Sequence, residues 1–322
     1  MFTPAKALAV VGCLLCLGAS AQAQSYPNRT VRLIVPFAPG GAPDVIARLV
    51  GQHLSIQTGQ TFVVDNRPGG GGVVGAQVVA EAAPDGYTLL VTSSSFVINP
   101  SFHKNMPFNV VRDFEAVTNI CAVDGFILGI NPKVPAQTVA ELIALARTPQ
   151  AVAYSTPGAG NVLHLAAELF QMRTGTKMVH VPYRSGPQMV NAVIAGDVQM
   201  AFFLPHTSVP FIETGRIRAL AYGGSTRYPG LPNVPTFQET GSPEMELTTW
   251  TGMLAPARTP APILARLHQE VTKVLAMPDV RKKLVELGFR PIGDSPAEFK
   301  PYVAAQVARI AEIARAAGIQ PE

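Results

Sequence analysis

Both halves of the sequence contain a short strand-like run that stops at a Pro-Gly loop and continues as an amphipathic helix pattern, and this repeated unit constrains the fold most. In the first half it comprises Val31 to Val35, the loop PFAPGGAP and the apolar positions from Ile46 to Leu54. In the second half it spans Ala151 to Phe170, AVAYSTPGAGNVLHLAAELF. Units of this kind build α/β sheets, with their loops at the carboxyl ends of the strands. We therefore predict two α/β lobes whose loops face one crevice.

Other strand-like runs alternate with helical patterns along the chain, which predicts parallel sheets. The predicted strands are 31–37, 62–65, 87–92, 126–130, 152–155, 198–203 and 217–222. Thr138 with Glu141, and Ser295 with Glu298, fit capping boxes that begin helices. The Pro-rich stretches 231–235 and 255–262 are predicted connectors.

Residues 1–23 have the pattern of a secretory signal peptide. Lys6 precedes an apolar segment, and the following ASAQAQ permits cleavage after Ala21 or Ala23. A lipoprotein cleavage box ending at Cys13 is a less favoured alternative, because few residues separate it from Lys6. Later in the chain no stretch reaches the roughly 18 consecutive apolar residues of a membrane span. We expect a mature protein that is soluble in the periplasm.

The composition excludes several classes of protein. The chain has 322 residues, of which 48% are hydrophobic and 14% charged, so it can bury a large core and is not expected to be disordered. Without the leader, 24 basic and 21 acidic residues give a net charge of +3, and the basic residues are scattered, which argues against a nucleic-acid partner. Cys121 is then the sole cysteine, so no internal disulfide is expected.

The two Pro-Gly loops are the first candidate ligand site. Gly40 and Gly41 permit a positive φ and the close approach of a ligand, and the N–H groups that begin the next helix favour an anion. In the second loop, hydroxyl and backbone N–H groups come from Ser155, Thr156, Gly158 and Gly160. Two simpler interpretations compete: the glycines only make a sharp turn, and the hydroxyls only cap a helix.

A dinucleotide motif is incomplete. Gly70, Gly72 and Gly75 fit G-x-G-x-x-G, but no acidic residue follows about 20 positions later, where Ser94 and Ser95 stand. A glycine-rich turn that leads into a helix is therefore favoured, and no cofactor is predicted.

Hydrolase and metal motifs are also unsupported. The sequence contains no G-x-S-x-G, and Cys121 lacks the basic surroundings of a nucleophile. His164 and Glu168 are four residues apart on a predicted helix, but no H-E-x-x-H motif accompanies them. An ordinary helix pair is favoured over a metal site, and we predict that the protein is not an enzyme.

A set of stretches spread over nearly the whole mature chain carries a family resemblance. They are VRLIVPFAPGGAPDVIAR, VVDNRPGGGGVVGA, PDGYTLL, VINP, YSTPGAGNVLHLAAELF, HVPYRSG, GRIRALA, LPNVPTFQETG and WTGMLAPARTP. In this order they resemble the solute receptors of tripartite tricarboxylate transporters, the Bug family. The resemblance implies a two-lobed, type II-like periplasmic-binding-protein fold. The first lobe is expected to comprise residues 24–124 and 250–322, and the second lobe residues 125–249. The C-terminal helices are expected to pack on either of the two lobes.

The resemblance also implies which residues contact the ligand. Carried over, they are Phe37, Ala38, Gly40, Gly41, Asp44, Ser155, Thr156, Gly158, Gly160 and His164, to which we add Ser94 and Phe203 as candidates that line the crevice. Asp44 either complements the helix dipole or faces the crevice, where it favours a ligand with a hydroxyl, amine or amide beside its carboxylate. By this resemblance, the chain departs from the family after VPYR, where it reads Ser185 to Met189 instead of Gly and, three residues later, Pro-Ala. It also departs at Ala192, where Asp is common in the family.

The implied function is that of a monomeric receptor which captures a small organic carboxylate and hands it to the membrane permease subunits of a tripartite transporter. Two alternatives stay open at this point. One is a sensing subunit that reports ligand occupancy to a membrane signalling partner, and the other is an exported enzyme that acts on a small carboxylate.

Overall fold

Two β-sheets with helices around them form the protein. The structure is a computed structural model that describes residues 26–148, 151–242, 245, 247–316, 318–319 and 321. The predicted signal peptide, with both cleavage positions and Cys13, lies outside the described residues.

The elements alternate much as the sequence predicts. The strands are β1 (Val31–Val35), β2 (Phe62–Asn66), β3 (Thr88–Ser93), β4 (Phe114–Asp124), β5 (Ile127–Ile130), β6 (Ala153–Thr156), β7 (Val179–Pro182), β8 (Met200–Phe203), β9 (Arg218–Tyr222), β10 (Thr248–Pro256) and β11 (Arg290–Pro291). The helices are α1 (Ala42–Thr58), α2 (Val73–Ala80), α3 (Ser95–Ile98), α4 (Val139–Ala146), α5 (Val162–Thr174), α6 (Gly186–Ala195), α7 (Pro205–Glu213), α8 (Ala261–Ala276), α9 (Pro278–Glu286) and α10 (Pro296–Ala316).

The first lobe is built around a six-stranded sheet in the order β11-β4-β10-β3-β1-β2, and the second around a five-stranded sheet in the order β7-β6-β8-β5-β9. Strand β1 pairs in parallel with β2 and β3, and β6 with β7 and β8. The prediction of purely parallel sheets is wrong, because β10 runs antiparallel to β3 and β4, and β5 antiparallel to β8 and β9. The chain passes from the first lobe to the second between β4 and β5, and it returns between β9 and β10.

Strands β4, β7, β10 and β11 are absent from the strands that the sequence predicts. Strand β10 is buried on both faces after its first residue, so it has no alternating pattern, and Gly252 interrupts it. The interruption has a packing reason: a Cβ at Gly252 would lie 2.5 Å from the Phe299 ring, which also meets Trp250 edge-on with ring centroids 5.2 Å apart. A glycine here lets α10 pack closely on the first sheet.

Helix α10 packs on both lobes. Phe299 and Val303 belong to the apolar cluster that covers one face of the first sheet, whereas Ile310 belongs to the core of the second lobe. Its capping box forms: the Ser295 N–H donates to Glu298 Oε2 at 2.9 Å, and the Glu298 N–H donates to Ser295 Oγ at 3.3 Å. The C-terminal helix therefore ties the two lobes together.

Candidate functional site

A cleft of about 560 Å³ opens between the lobes, at the carboxyl ends of β1 and β6. The Pro-Gly loops that follow these strands supply part of its wall, as expected for a crevice at the ends of α/β strands. The first lobe contributes Pro36, Phe37, Ala38, Gly41, Ala42, Pro43, Pro68, Gly69, Gly70, Gly71, Gly72, Ser93, Cys121, Thr249, Trp250, Thr251 and Phe289. The second lobe contributes Pro157, Gly158, Asn161, Val162, Leu163, Tyr183, Arg184, Ser185, Gly186, Gln188, Met189, Leu204, His206 and Thr207.

The start of α1 offers the cleft uncapped backbone donors. Its N-cap Gly41 has an extended backbone (φ −77°, ψ 164°) and no side-chain cap, and Pro43 lies in the first turn. Within the part of the chain that the structure describes, the N–H groups of Gly41 and Ala42 have no partner in the protein. A helix start of this kind favours an anion through both its free N–H groups and its dipole.

The positive φ that the loop needs falls on Gly40, at 85°, and not on Gly41. The Gly40 N–H donates to Asp44 Oδ2 at 3.0 Å, which closes the loop back onto the first turn of α1. A Cβ at Gly40 would lie 3.4 Å from Pro187 of the second lobe, so this loop already touches the opposite wall.

Asp44 supports the first loop from behind. Its side chain is only 4% exposed, and it accepts hydrogen bonds from Arg48 Nε at 3.0 Å and from Asn66 Nδ2 at 2.9 Å, in addition to Gly40. Burial alone would raise the pKa of Asp44, but the hydrogen bonds from Arg48, Gly40 and Asn66 outweigh it and hold the pKa below its usual value. The carboxylate does not line the cleft.

The second loop presents backbone rather than hydroxyl groups to the cleft. Gly158, with a φ of 121°, lines it, and no atom lies within 4 Å of the position of a Cβ there. The hydroxyls of β6 are turned inward: Ser155 Oγ donates to the Met189 carbonyl at 3.2 Å, and Thr156 Oγ1 lies 2.7 Å from His180 Nε2.

The first turn of α5 has few free donors. The Val162 N–H donates to Ser95 Oγ of the first lobe at 3.2 Å, and the Leu163 N–H donates to the side chain of its N-cap, Asn161, at 2.9 Å. Of the two helix starts that follow the Pro-Gly loops, α1 therefore has the greater capacity to bind an anion.

His164 lies behind the second loop in an aromatic and acidic cluster. Its ring stacks on His180 with centroids 4.0 Å apart, and its Nε2 lies 3.6 Å from Glu168 Oε1. The Tyr154 hydroxyl donates to the same carboxylate oxygen at 2.5 Å. The Gly160 N–H donates to His164 Nδ1 at 3.4 Å, so the cluster holds the loop. Within the described residues, no group of three or more His, Cys, Asp or Glu is placed to hold a metal.

We expect the stability of the protein to fall as the pH falls from about 6.5 to about 4. Burial lowers the pKa of His180 to about 4, with the nearby His164 adding to the effect and Glu168 opposing it, and burial also lowers the pKa of His206 to about 4. In this window the unfolded state, with a histidine pKa of about 6.5, binds protons that the folded state does not. Each histidine then adds a slope of at most about 1.4 kcal/mol per pH unit.

Urea titrations at several pH values measure this slope. His180→Gln should make it shallower between pH 6.5 and 4. An unchanged slope in a folded His180→Gln variant would contradict the prediction.

The candidate residues from the sequence fall into two groups. Those that line the cleft are Phe37, Ala38, Gly41 and Gly158. Those that lie next to it or behind its wall are Gly40, Asp44, Ser94, Ser155, Thr156, Gly160, His164 and Phe203. Ser94 Oγ lies 2.5 Å from Thr249 Oγ1, and Phe203 is fully buried in the second core. Their roles toward a ligand remain predictions.

The sequence analysis missed several parts of the wall. The glycine-rich stretch Gly69–Gly72 forms a turn and one turn of 3₁₀ helix that lines the cleft, whereas its sequence predicts only a turn before a helix. Other missed parts are the residues around Trp250 on β10 and around His206 at the start of α7. The run of glycines from Gly69 to Gly72 was the available signal in the sequence. Each of the four has a positive φ, a backbone conformation that favours glycine.

The electrostatic character of the wall is one-sided. Among the lining residues of the described chain none is acidic, and Arg184, which is exposed, is the one Lys or Arg. His206 stays neutral near pH 7, since burial lowers its pKa to about 4. The cleft is thus suited to an anion held mainly by backbone dipoles.

The chain matches the family described as tripartite tricarboxylate transporter family receptor over residues 46–319. It belongs to this family. The membership confirms the resemblance inferred from the sequence, and the family is one of solute-binding receptors rather than of enzymes.

Relatives agree in sequence and in fold. Protein BugT of Bordetella pertussis is 35% identical over 324 residues, which cover 97% of this chain and 98% of BugT. The structure of R. palustris Rpa4515 with adipate is 35% identical with a TM-score of 0.88, and the match covers 92% of this chain and 100% of that one. MatC from Rhodopseudomonas palustris with bound malate is 29% identical with a TM-score of 0.84, covering 90% and 100%. The two-lobed binding-protein fold is confirmed. Within the described residues, no helix has the length and apolar character needed to cross a membrane.

Proposed function

We propose that this receptor captures a small organic carboxylate between its lobes in the periplasm and delivers it to the membrane permease subunits of a tripartite transporter. The observation that carries the proposal is the start of α1, where the unpartnered N–H groups of Gly41 and Ala42 face a cleft without acidic lining among the described residues. The adipate and malate bound by two relatives are acids of this kind.

Backbone donors suffice for useful affinity. A hydrogen bond to a charged group contributes about 1.5 to 3 kcal/mol, and a helix start adds about 0.3 to 2 kcal/mol. A few such contacts, less the cost of ordering, reach the roughly 8 kcal/mol of micromolar binding. A basic side chain deep in the cleft is not needed.

Contacts across the cleft support closure of the lobes on the ligand. Gly40 lies next to Pro187, and Gly71 lies against the Ala159 carbonyl. A third contact is the hydrogen bond that Ser95 Oγ accepts from the Val162 N–H. Each contact joins the first lobe to a loop or helix start of the second. Small-angle scattering should therefore show a smaller radius of gyration for the protein saturated with an organic acid that it binds than for the free protein.

Gly41→Ala tests the carboxylate site directly. The backbone of Gly41 is one that any residue adopts, and a Cβ there would lie 3.7 Å from the Ala38 carbonyl, an ordinary contact. The fold should therefore be unchanged, while the methyl group hinders the approach of a carboxylate to the α1 amides. We expect calorimetry to show an affinity at least tenfold weaker, with an unchanged melting temperature.

Wild-type affinity in a folded Gly41→Ala variant would contradict the placement of the carboxylate at α1. An absence of binding by the wild-type protein to any organic acid, measured by calorimetry and by native mass spectrometry of the freshly purified protein, would contradict the proposed function itself.

A further inference from the structure

Two nitrogen-bearing rings that line the cleft, those of His206 and Trp250, have polar atoms that the protein leaves unused. Among the described residues, no group bonds to either ring nitrogen of His206 or to Nε1 of Trp250, and all three atoms are buried. Trp250 as a whole is 1% exposed. A buried polar group without a partner costs free energy, so a group that enters the cleft is expected to satisfy these atoms. We call the two residues the His-Trp site.

The start of α7 adds a backbone donor to this site. The helix has no side-chain cap at Leu204, and Pro205 has no N–H. The Thr207 N–H donates to the Leu204 carbonyl at 3.1 Å, whereas the His206 N–H has no partner within the described chain. His206 therefore offers the cleft a free backbone N–H in addition to its ring.

The two rings come from opposite lobes and border one row of the first sheet. Trp250 on β10 pairs with Ala122 on β4, and Ala122 pairs with Arg290 on β11. The ring of Phe289, which precedes Arg290, has its centroid 5.1 Å from that of His206. His206 therefore lies across the junction of the lobes from the row that contains Trp250.

The His-Trp site is separate from the start of α1. Strand β10 lies two strands away from β1, with β3 between them. Two strand spacings of about 4.8 Å amount to roughly 10 Å. One carboxylate cannot bond to both places, whereas the two ends of a linear molecule can.

The free groups of the His-Trp site are mainly donors. At pH 7 the His206 imidazole is neutral, because burial lowers its pKa to about 4, so its ring offers one N–H and one bare nitrogen. With the His206 backbone N–H and the Trp250 indole N–H, the site has three donors and one acceptor. An ionised carboxylate, which only accepts hydrogen bonds, matches this set better than a hydroxyl or an amide group does.

On the basis of the proposed function, we infer that His206 and Trp250 form a second carboxylate subsite, so that the receptor binds a linear dicarboxylate with one carboxylate at α1 and the other at the His-Trp site. The N–H groups replace the water that the second carboxylate loses when it enters the cleft. Because these donors belong to both lobes, the second carboxylate also draws the lobes together. His206 and Trp250 are therefore specificity-determining residues.

Matched acids test this inference in the full-length mature protein. Hexanoate and adipate have the same number of carbons and differ in the second carboxylate, and octanoate and suberate form a longer pair. Calorimetry should show that adipate or suberate binds at least tenfold more tightly than its monocarboxylate partner. Hexanoate with a terminal hydroxyl group should bind no more than about twofold more tightly than hexanoate. No preference in either pair, or equal affinity for the hydroxy acid and adipate, would overturn the inference.

Two substitutions test the named residues. Trp250→Phe removes the indole N–H but keeps a ring against Phe299, and His206→Phe removes both ring nitrogens but keeps a ring against Phe289. Each should weaken binding of the preferred dicarboxylate at least tenfold and leave the affinity for the matched monocarboxylate within about twofold. A merely structural role would weaken both acids alike. His206 is partly exposed, so this test does not depend on whether the variant of the buried Trp250 folds.

The remaining outcomes are also decisive. An unchanged ratio of dicarboxylate to monocarboxylate affinity in the folded variants would overturn the inference and leave the proposed function standing. Binding of malate or citrate with no binding of either matched pair would do the same. No binding of any organic acid by the wild-type protein would overturn the inference together with the proposed function.

Discussion

We expect the Gly71→Val variant to lose ligand binding by at least a hundredfold. Gly71 has a φ of 62°, and a Cβ there would overlap the carbonyl oxygen of Ala159 on the second lobe. Asn99 Nδ2 donates to the Gly71 carbonyl at 3.3 Å, which fixes the turn against this contact. A bulky residue would therefore push apart the two loops that must close on one ligand. Calorimetry with an organic acid that the wild-type protein binds measures the loss of affinity.

Backbone strain needs a separate control, because a β-branched residue at a positive φ costs about 1 to 3 kcal/mol by itself. Gly59, at the end of α1, has a φ of 68° and no atom within 4 Å of its Cβ position. Gly59→Val should lower the melting temperature to a similar extent but keep wild-type affinity. Tight binding by a folded Gly71→Val variant would show that the loop contact is not needed for closure.

Asp44→Ala should lower the free energy of unfolding by about 2 to 4 kcal/mol, since it removes a buried carboxylate and leaves its donors without an acceptor. It should also weaken ligand binding about tenfold, because the Gly40 N–H loses the acceptor that closes the loop onto α1. Urea denaturation and calorimetry measure the two effects.

The pH dependence of this stabilisation has a defined sign. The pKa of Asp44 is lowered in the folded state, so its contribution is present above the unfolded value of about 3.9 and is lost as the pH falls through the folded pKa. The difference between wild type and Asp44→Ala should therefore shrink in strong acid.

Asp65→Ala is a matched control on the same lobe. Asp65 is paired with Arg32 and Arg67, but its side chain is 25% exposed and lies outside the cleft. Exposed pairs of this kind contribute about 0 to 1 kcal/mol, so this variant should be nearly as stable as wild type and bind normally. Equal losses in both variants would mean that Asp44 has no special role in the loop.

Local sequence signals predicted the parts of the fold that local physics controls. The β-branched run of β1 forms a strand, the Pro-Gly loop after it turns the chain, and the capping boxes at Thr138 and Ser295 begin helices as expected. These features depend on residues within a few positions of one another. They can therefore be read before any tertiary contact is known.

Strand β10 could not be predicted from local sequence signals. Nothing within β10 indicates that it inserts antiparallel between β3 and β4, since both of its faces are buried and its Gly252 is explained only by the Phe299 ring of a distant helix. Long-range packing decided this part of the fold.

For the site, the sequence alone predicted that two Pro-Gly loops end strands in opposite lobes and that these loops suit an anion. The tertiary structure decided which groups in those loops are free to bind it. Thr156 bonds to His180, and Ser155 to Met189, whereas the amides of Gly41 and Ala42 stay unpartnered within the described chain. The physical reason is that a polar group is most available to a ligand when no neighbour uses its hydrogen-bonding capacity, and those neighbours come from residues far away in the sequence.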